Sequence, residues 1–173
     1  MKNPTNQILI TGAFGYLGGR LATFIQESRP DVKLRLMTKN KQRFVPDWAS
    51  KMDVVEGDLR DRKSLDIAVD GVDAVIHLAA LNEIDSQEYP DLALEVNGRG
   101  TYQLIEACCE KSVRRFIYLS TFHVYGPRVI QPITEQSPTR PIHPYAFTHR
   151  LAEDYVNWFN YRHGIETLIL RLS

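Results

Sequence analysis

The feature that most constrains this chain is a strict alternation of short apolar, β-branched runs with longer amphipathic stretches. Gln7–Thr11, Lys33–Thr38, Asp53–Glu56, Asp73–Ala79, Arg115–Ser120 and Ile165–Arg171 read as strands. Between them, Gly15 to about Ser28, Ser64–Val69, Asp91–Glu110 and Pro144 to about His163 read as helices. In the third of these, Leu92, Val96, Leu104, Ile105 and Cys108 recur near helical spacing. Pro144 is tolerated because a first-turn residue needs no amide donor. Strands that are apolar throughout belong to a parallel sheet covered on both faces. Right-handed crossovers then give an α/β fold, a doubly wound parallel sheet in three α/β/α layers, with residues 1–173 as one domain.

The first crossover is the most informative. Thr11-Gly12-Ala13-Phe14-Gly15-Tyr16-Leu17-Gly18 follows a strand and opens a helix. Gly12 permits a tight turn, Gly15 lets the backbone approach a pyrophosphate, and Gly18 lets the helix pack close to the sheet. Phe14, Tyr16 and Leu17 complete the turn, and the helix start offers unpaired N–H groups to phosphates. This is the dinucleotide-binding turn of a Rossmann fold, and it predicts NAD or NADP. The end of the second strand, about 20 residues beyond Gly18, is where an acidic side chain meets the NAD ribose. Thr38 stands there instead, followed by Lys39, Asn40, Lys41 and Arg43. The missing acid and the nearby cations favour NADP over NAD; the alternative is a solvated basic loop.

Composition narrows the partners. The 21 lysines and arginines balance 21 aspartates and glutamates, which argues against nucleic acid or an anionic membrane as the main partner. No apolar run approaches the roughly 18 residues of a spanning helix, and the polar N-terminus lacks a signal-peptide core. Cys108 and Cys109 are sequence neighbours and read as reduced thiols of a cytoplasmic protein. Neither has metal-ligand spacing to a His, Asp or Glu cluster, so no metal site is expected. Gly126–His143 carries Pro127, Pro132, Pro138 and Pro141 and reads as a long functional loop. The chain ends at Ser173, on the sixth strand, where the binding crevice of such a sheet is completed.

Six stretches occur in order at matching positions: TGAFGYLG (11–18), GDLRD (57–61), HLAA (77–80), VNGRGT (96–101), LSTFHVYG (119–126) and PYAFTHRLAE (144–153). Together they resemble the extended short-chain dehydrogenase/reductase family, in its NAD(P)-dependent sugar epimerase/dehydratase branch. The resemblance implies that Asp58 and Leu59 line the adenine pocket and that Leu78, Ala79 and Ala80 pass the cofactor's ribose and phosphates. Asn97 is implied to kink its helix near the site. It implies chemistry on a small-molecule substrate, a nucleotide-sugar or related carbonyl or hydroxyl compound, by Tyr145 as general base, or acid in reverse. Thr121, with Ser120 adjacent, is implied to hold the reacting oxygen in line. Asp91–Glu110 and Pro144–His163 are implied to form a homodimer face. Family members of this kind continue into a smaller substrate-binding lobe, which these residues do not include.

One residue departs from the pattern. The family's lysine, four residues after the tyrosine, is His149 here. Positions i and i+4 share a helix face, so His149 is placed to face Tyr145 and the cofactor; Arg150 is about 100° further round. Lysine is charged at neutral pH and helps a tyrosine lose its proton, whereas an unperturbed histidine, near pKa 6.5, is mostly neutral. His123 is a candidate to share proton transfer, or a surface loop histidine. An oxidoreductase or epimerase, a dinucleotide-binding protein without turnover, and a fragment of a longer chain all remain open.

Overall fold

The computed structural model describes residues 6–40, 45–127 and 132–173. Lys41 and Arg43, and part of the proline-rich loop, lie outside the described residues. Six strands, β1 (Gln7–Thr11), β2 (Lys33–Thr38), β3 (Asp53–Glu56), β4 (Ala74–His77), β5 (Arg115–Thr121) and β6 (Glu166–Leu172), form one parallel sheet in the order β3-β2-β1-β4-β5-β6. The order reverses between β1 and β4. That switch point is where the carboxyl ends of the strands leave a crevice.

Because side chains alternate across a strand, β1 feeds two cores. Leu9 joins Val75, Phe116, Leu104 and Phe159 beneath α2 (Arg62–Ala68), α5 (Gly100–Glu110) and α6 (Pro144–His163). Ile10 joins Leu34, Leu36 and Ala22 beneath α1 (Tyr16–Ser28). The cover on this second face is incomplete: Leu168, Leu170 and Leu172 of β6 are exposed, while Ile169 between them packs inward.

Strand and helix limits differ from expectation where side chains capture the backbone. Helix α2 starts two residues early because the Asp61 carboxylate accepts from the Lys63 amide and caps it. The fourth strand stops at His77 because the Leu78 and Ala79 amides turn to the Thr11 hydroxyl. The single helix expected over Asp91–Glu110 is instead α4 (Pro90–Ala93), a π-helical stretch over Leu94–Arg99, and α5. Asn97 lies inside that stretch, so the implied distortion is a π-bulge, a common accompaniment of functional sites. The short helix α3 (Glu83–Glu88), capped by Asn82, has no counterpart in the sequence reading. No described helix is long and apolar enough to cross a membrane. Burial pushes the Cys108 thiol well up and the Cys109 thiol up to about 11, and both are free.

Candidate active site

The glycine turn is sterically determined at two of its three glycines. Gly12 adopts φ +66° and passes so close to the end of β4 that a Cβ would lie 2.8 Å from the Ala79 nitrogen. A Cβ on Gly18 would lie 2.2 Å from the Gly12 carbonyl oxygen. Gly15 is different: its added Cβ would approach only that carbonyl, at 3.3 Å. Gly15 is also the N-cap of α1 and offers no capping side chain. The first-turn amides and the positive end of the helix dipole are therefore available where Gly15 opens on a cleft. This backbone cradle fits the pyrophosphate of a dinucleotide.

The cleft, of about 480 Å³, is walled by Gly12, Phe14 and Gly15, by Thr38, Lys39, Asp58 and Leu59, and by Ala79 and Ala80. A second cavity of about 380 Å³ shares Ala80 and Leu81 with it. That cavity runs past Leu17 and Leu78 to Ser120, Thr121, Tyr145 and His149. Three sequence-predicted contacts line neither: Tyr16 is 78% exposed beside the turn, Gly18 is buried under α1, and Asn97 is buried. The Asn97 amide instead accepts from the Leu81 amide at 2.7 Å and donates to the Leu81 carbonyl and the Thr148 hydroxyl. It shapes the crevice wall through Leu81. At the cleft rim, Arg60 grips the Asp58 carboxylate through two nitrogens at 3.1 and 2.7 Å, and the Lys39 ammonium stands 3.5 Å away. The Arg60 guanidinium, first among the causes, holds the Asp58 carboxyl well below the usual range, against desolvation.

A buried hydroxyl–imidazole chain holds the two crevice walls together. The Thr11 hydroxyl accepts from the Leu78 and Ala79 amides at 3.1 and 3.2 Å and lies 2.7 Å from His77 Nδ1. With its lone pairs engaged, it donates to Nδ1. His77 Nε2 then carries the ring proton and donates to Thr101 Oγ1 at 2.9 Å, which itself donates to the Asn97 carbonyl at 2.6 Å. Every member is satisfied, and burial pushes His77 down to about 3, so it is neutral at pH 7. Nothing in the local sequence singles out Thr11 or Thr101; the sheet and α5 bring them to His77.

At the other end, Tyr145 lies half-buried in the first turn of α6, whose N-cap is His143. Burial raises the Tyr145 phenol above its ordinary range; hydrogen bonding from Thr121 opposes this, and the Glu83 carboxylate adds to it. Ser120 is directed elsewhere. Its hydroxyl donates to the wholly buried Glu153 carboxylate at 2.6 Å, which also takes two bonds from Arg171 at 2.9 and 2.7 Å. Arg171 in turn donates to the Tyr125 hydroxyl at 2.8 Å. Of the two candidate hydroxyls, Ser120 is thus committed to Glu153, while Thr121 lines the same cavity as Tyr145.

His149 does face Tyr145, as the i, i+4 spacing predicts, with ring centroids 4.4 Å apart in an edge arrangement. Its Nδ1 lies 2.7 Å from the Tyr118 hydroxyl, and its Nε2 is buried without a hydrogen-bond partner among the described residues. Burial, reinforced by His123 and opposed by Glu153, pushes it down to about 4. It is a neutral imidazole where the family resemblance implies a cation. Beside it the fold assembles a group that sequence spacing does not show. His123 Nε2 and His143 Nε2 lie 3.7 and 3.8 Å from the two Glu83 carboxylate oxygens. The expectation of no metal site considered only local spacing, and these three residues come from separate elements.

A parallel sheet with a bare helix start at its switch point, and a tyrosine–threonine pair at the end of the same crevice, defines a dinucleotide-binding α/β protein of the short-chain dehydrogenase/reductase type. The chain belongs to the NAD dependent epimerase/dehydratase family, whose model matches residues 8–173. A UDP-glucose 4-epimerase of Halalkalibacterium halodurans is 32% identical over 167 residues, covering 95% of this chain and 49% of that protein. A short-chain dehydrogenase/reductase superfamily protein of Agrobacterium tumefaciens with bound NAD is 31% identical, with a TM-score of 0.84 over 95% of this chain and 48% of that one. The dTDP-glucose 4,6-dehydratase of Streptomyces venezuelae with NAD and TYD bound is 28% identical, with a TM-score of 0.85 over 95% and 55%. The chain thus spans about half the length of the relatives it matches.

Proposed function

We propose that this chain forms the cofactor-binding and proton-transfer half of an epimerase/dehydratase or oxidoreductase acting on a nucleotide-sugar, with NADP preferred over NAD. The observation that carries the reading is the crevice itself, which joins the cradle at Gly12 and Gly15 to Thr121, Tyr145 and the unpartnered His149 Nε2 through Ala80 and Leu81. The cofactor, when bound, supplies hydride chemistry at its nicotinamide. Gly15 and the bare start of α1 hold the pyrophosphate, and Leu59 with Asp58 walls the adenine end. Lys39, mostly exposed at the rim, is available to a 2′-phosphate. Tyr145 Oη takes a proton from the substrate hydroxyl or returns it, and Thr121 orients the same oxygen. His149 Nε2 offers a hydrogen bond in place of a lysine's charge. We place a homodimer contact on the apolar face of α5 and α6 around Tyr102, Leu151, Tyr155 and Trp158.

The test is calorimetric titration with NADP(H) and NAD(H), followed by turnover assays with UDP- and dTDP-sugars. Binding with turnover supports the reading, and absence of binding to either cofactor refutes it. The neutral His149 favours a second reading, a dinucleotide-binding protein without catalysis. Cofactor binding with no turnover on any sugar nucleotide would establish that instead. Gel filtration at monomer size would exclude the dimer.

A further inference from the structure

We propose that Glu83, His123 and His143 form a binding site for a divalent transition-metal cation, with zinc the best match. One ligand atom from each residue falls within 4.8 Å of the others. Glu83 lies in the first turn of α3, His123 in the short helical turn after β5, and His143 caps α6. The pairwise gaps of 3.7 and 3.8 Å are too long for hydrogen bonds. Three donors therefore converge on a common point without bonding one another, the arrangement that a cation closes.

Two imidazoles and a carboxylate are the donor set of catalytic zinc sites, which keep a fourth position open. Nitrogen donors disfavour magnesium and calcium, which take oxygen ligands. Tetrahedral zinc with bonds of about 2.0–2.1 Å needs donors roughly 3.3 Å apart, so from separations of at most 4.8 Å closure asks each pair of donors to approach by about 1.5 Å or less. All three are partly exposed, Glu83 most of all. Glu83 and His123 line the crevice, and both imidazoles stand beside the Tyr145 ring, with centroids 6.1 and 6.3 Å away. An open coordination position there would receive water or a substrate oxygen. Coordination has one structural cost. His143 Nδ1 accepts the Ala146 amide at 3.4 Å, and metal on Nε2 moves the ring proton to Nδ1 and ends that bond. Metal binding at this site does not depend on whether the chain turns over a sugar nucleotide.

The test uses untagged protein. Cobalt(II) is titrated by visible absorption, which is intense for four-coordinate cobalt, and zinc(II) by calorimetry. One equivalent is expected, with affinity falling at least about tenfold in Glu83→Gln and in His123→Gln, as loss of a first ligand requires. Circular dichroism confirms that the variants fold, and Cys109→Ser is expected to bind like the parent. Hydrogen exchange at the Ala146 amide is expected to quicken with metal. Absence of saturable one-to-one binding, retention of affinity in both ligand variants, or full displacement of cobalt by an equal concentration of magnesium would each overturn the site.

Discussion

The rings of His149 and Tyr145 meet edge to face, with centroids 4.4 Å apart, and the His149 Nε2 is buried without a partner among the described residues. On the proposed function, this pair sets how readily the crevice can move a proton. A neutral histidine offers geometry and a hydrogen bond but no positive charge. Burial leaves the phenol harder to ionise than a free tyrosine.

Activity, where measured, is expected to rise into alkaline solution as Tyr145 ionises. His149→Lys brings a cation against the phenol, favours the phenolate, and should move that limb to lower pH. Tyr145→Phe is expected to lower kcat by about 10²–10⁴ while leaving cofactor affinity near that of the parent. Rate profiles from pH 5 to 10 for the three proteins check this. An unmoved limb in His149→Lys would show that the residue does not act on Tyr145.

The two buried histidines predict acid lability. Unfolded, each takes up its proton near pH 6.5; folded, His149 holds out to about 4 and His77 to about 3. Below pH 6.5 the unfolded chain therefore binds more protons than the native one. Stability should be fully present above about pH 7 and fall with pH, by about 1.4 kcal/mol per pH unit for each histidine. Urea unfolding between pH 4 and 8 measures the slope, and a flat profile would contradict the placement of both imidazoles.

The Glu153–Arg171 pair should respond unequally to its two deletions. Glu153 is wholly buried, whereas Arg171 reaches solvent. Arg171→Met strands a buried carboxylate and is expected to cost about 3–5 kcal/mol. Glu153→Gln leaves a cation that can hydrate and should cost less. Chemical denaturation of both variants at pH 7 compares them, and the reverse order would mean that Ser120 and Arg150, whose Nη1 stands 3.4 Å from a Glu153 oxygen, suffice to hold the carboxylate.

The glycines should separate folding from binding. Gly18→Ala drives a methyl into the Gly12 carbonyl and should destabilise the packing of α1 on the sheet. Gly15→Ala clashes with little, so it should fold with a near-parental Tm yet bind dinucleotide at least about tenfold more weakly, because its methyl occupies the phosphate approach. Thermal melts with cofactor titrations distinguish them.

Lys39→Glu is the variant for cofactor choice. It removes a cation from the rim and places an acid near the position where an NAD ribose is held. The ratio of the NADP and NAD Kd values should shift in favour of NAD by about tenfold or more. An unchanged ratio would remove Lys39 from cofactor discrimination.

The sequence by itself determined the parallel sheet, the glycine turn and the Tyr145–His149 pairing. These are short-range consequences of periodicity, of backbone freedom at glycine and of helical spacing. β1, β2, β3 and α6 fall within the residues expected of them for that reason. The tertiary structure decided the protonation and partners of those same residues. The neutrality of His77 comes from burial beneath α5, and that of His149 from the packing of its own helix, α6, against Tyr118 of β5. The commitment of Ser120 to Glu153 depends on α6 lying against β5. The meeting of Glu83, His123 and His143 joins residues 40 and 20 positions apart in the chain. Charge and hydrogen bonding depend on what stands within a few ångströms, and in a doubly wound sheet most of that arrives from elsewhere along the chain.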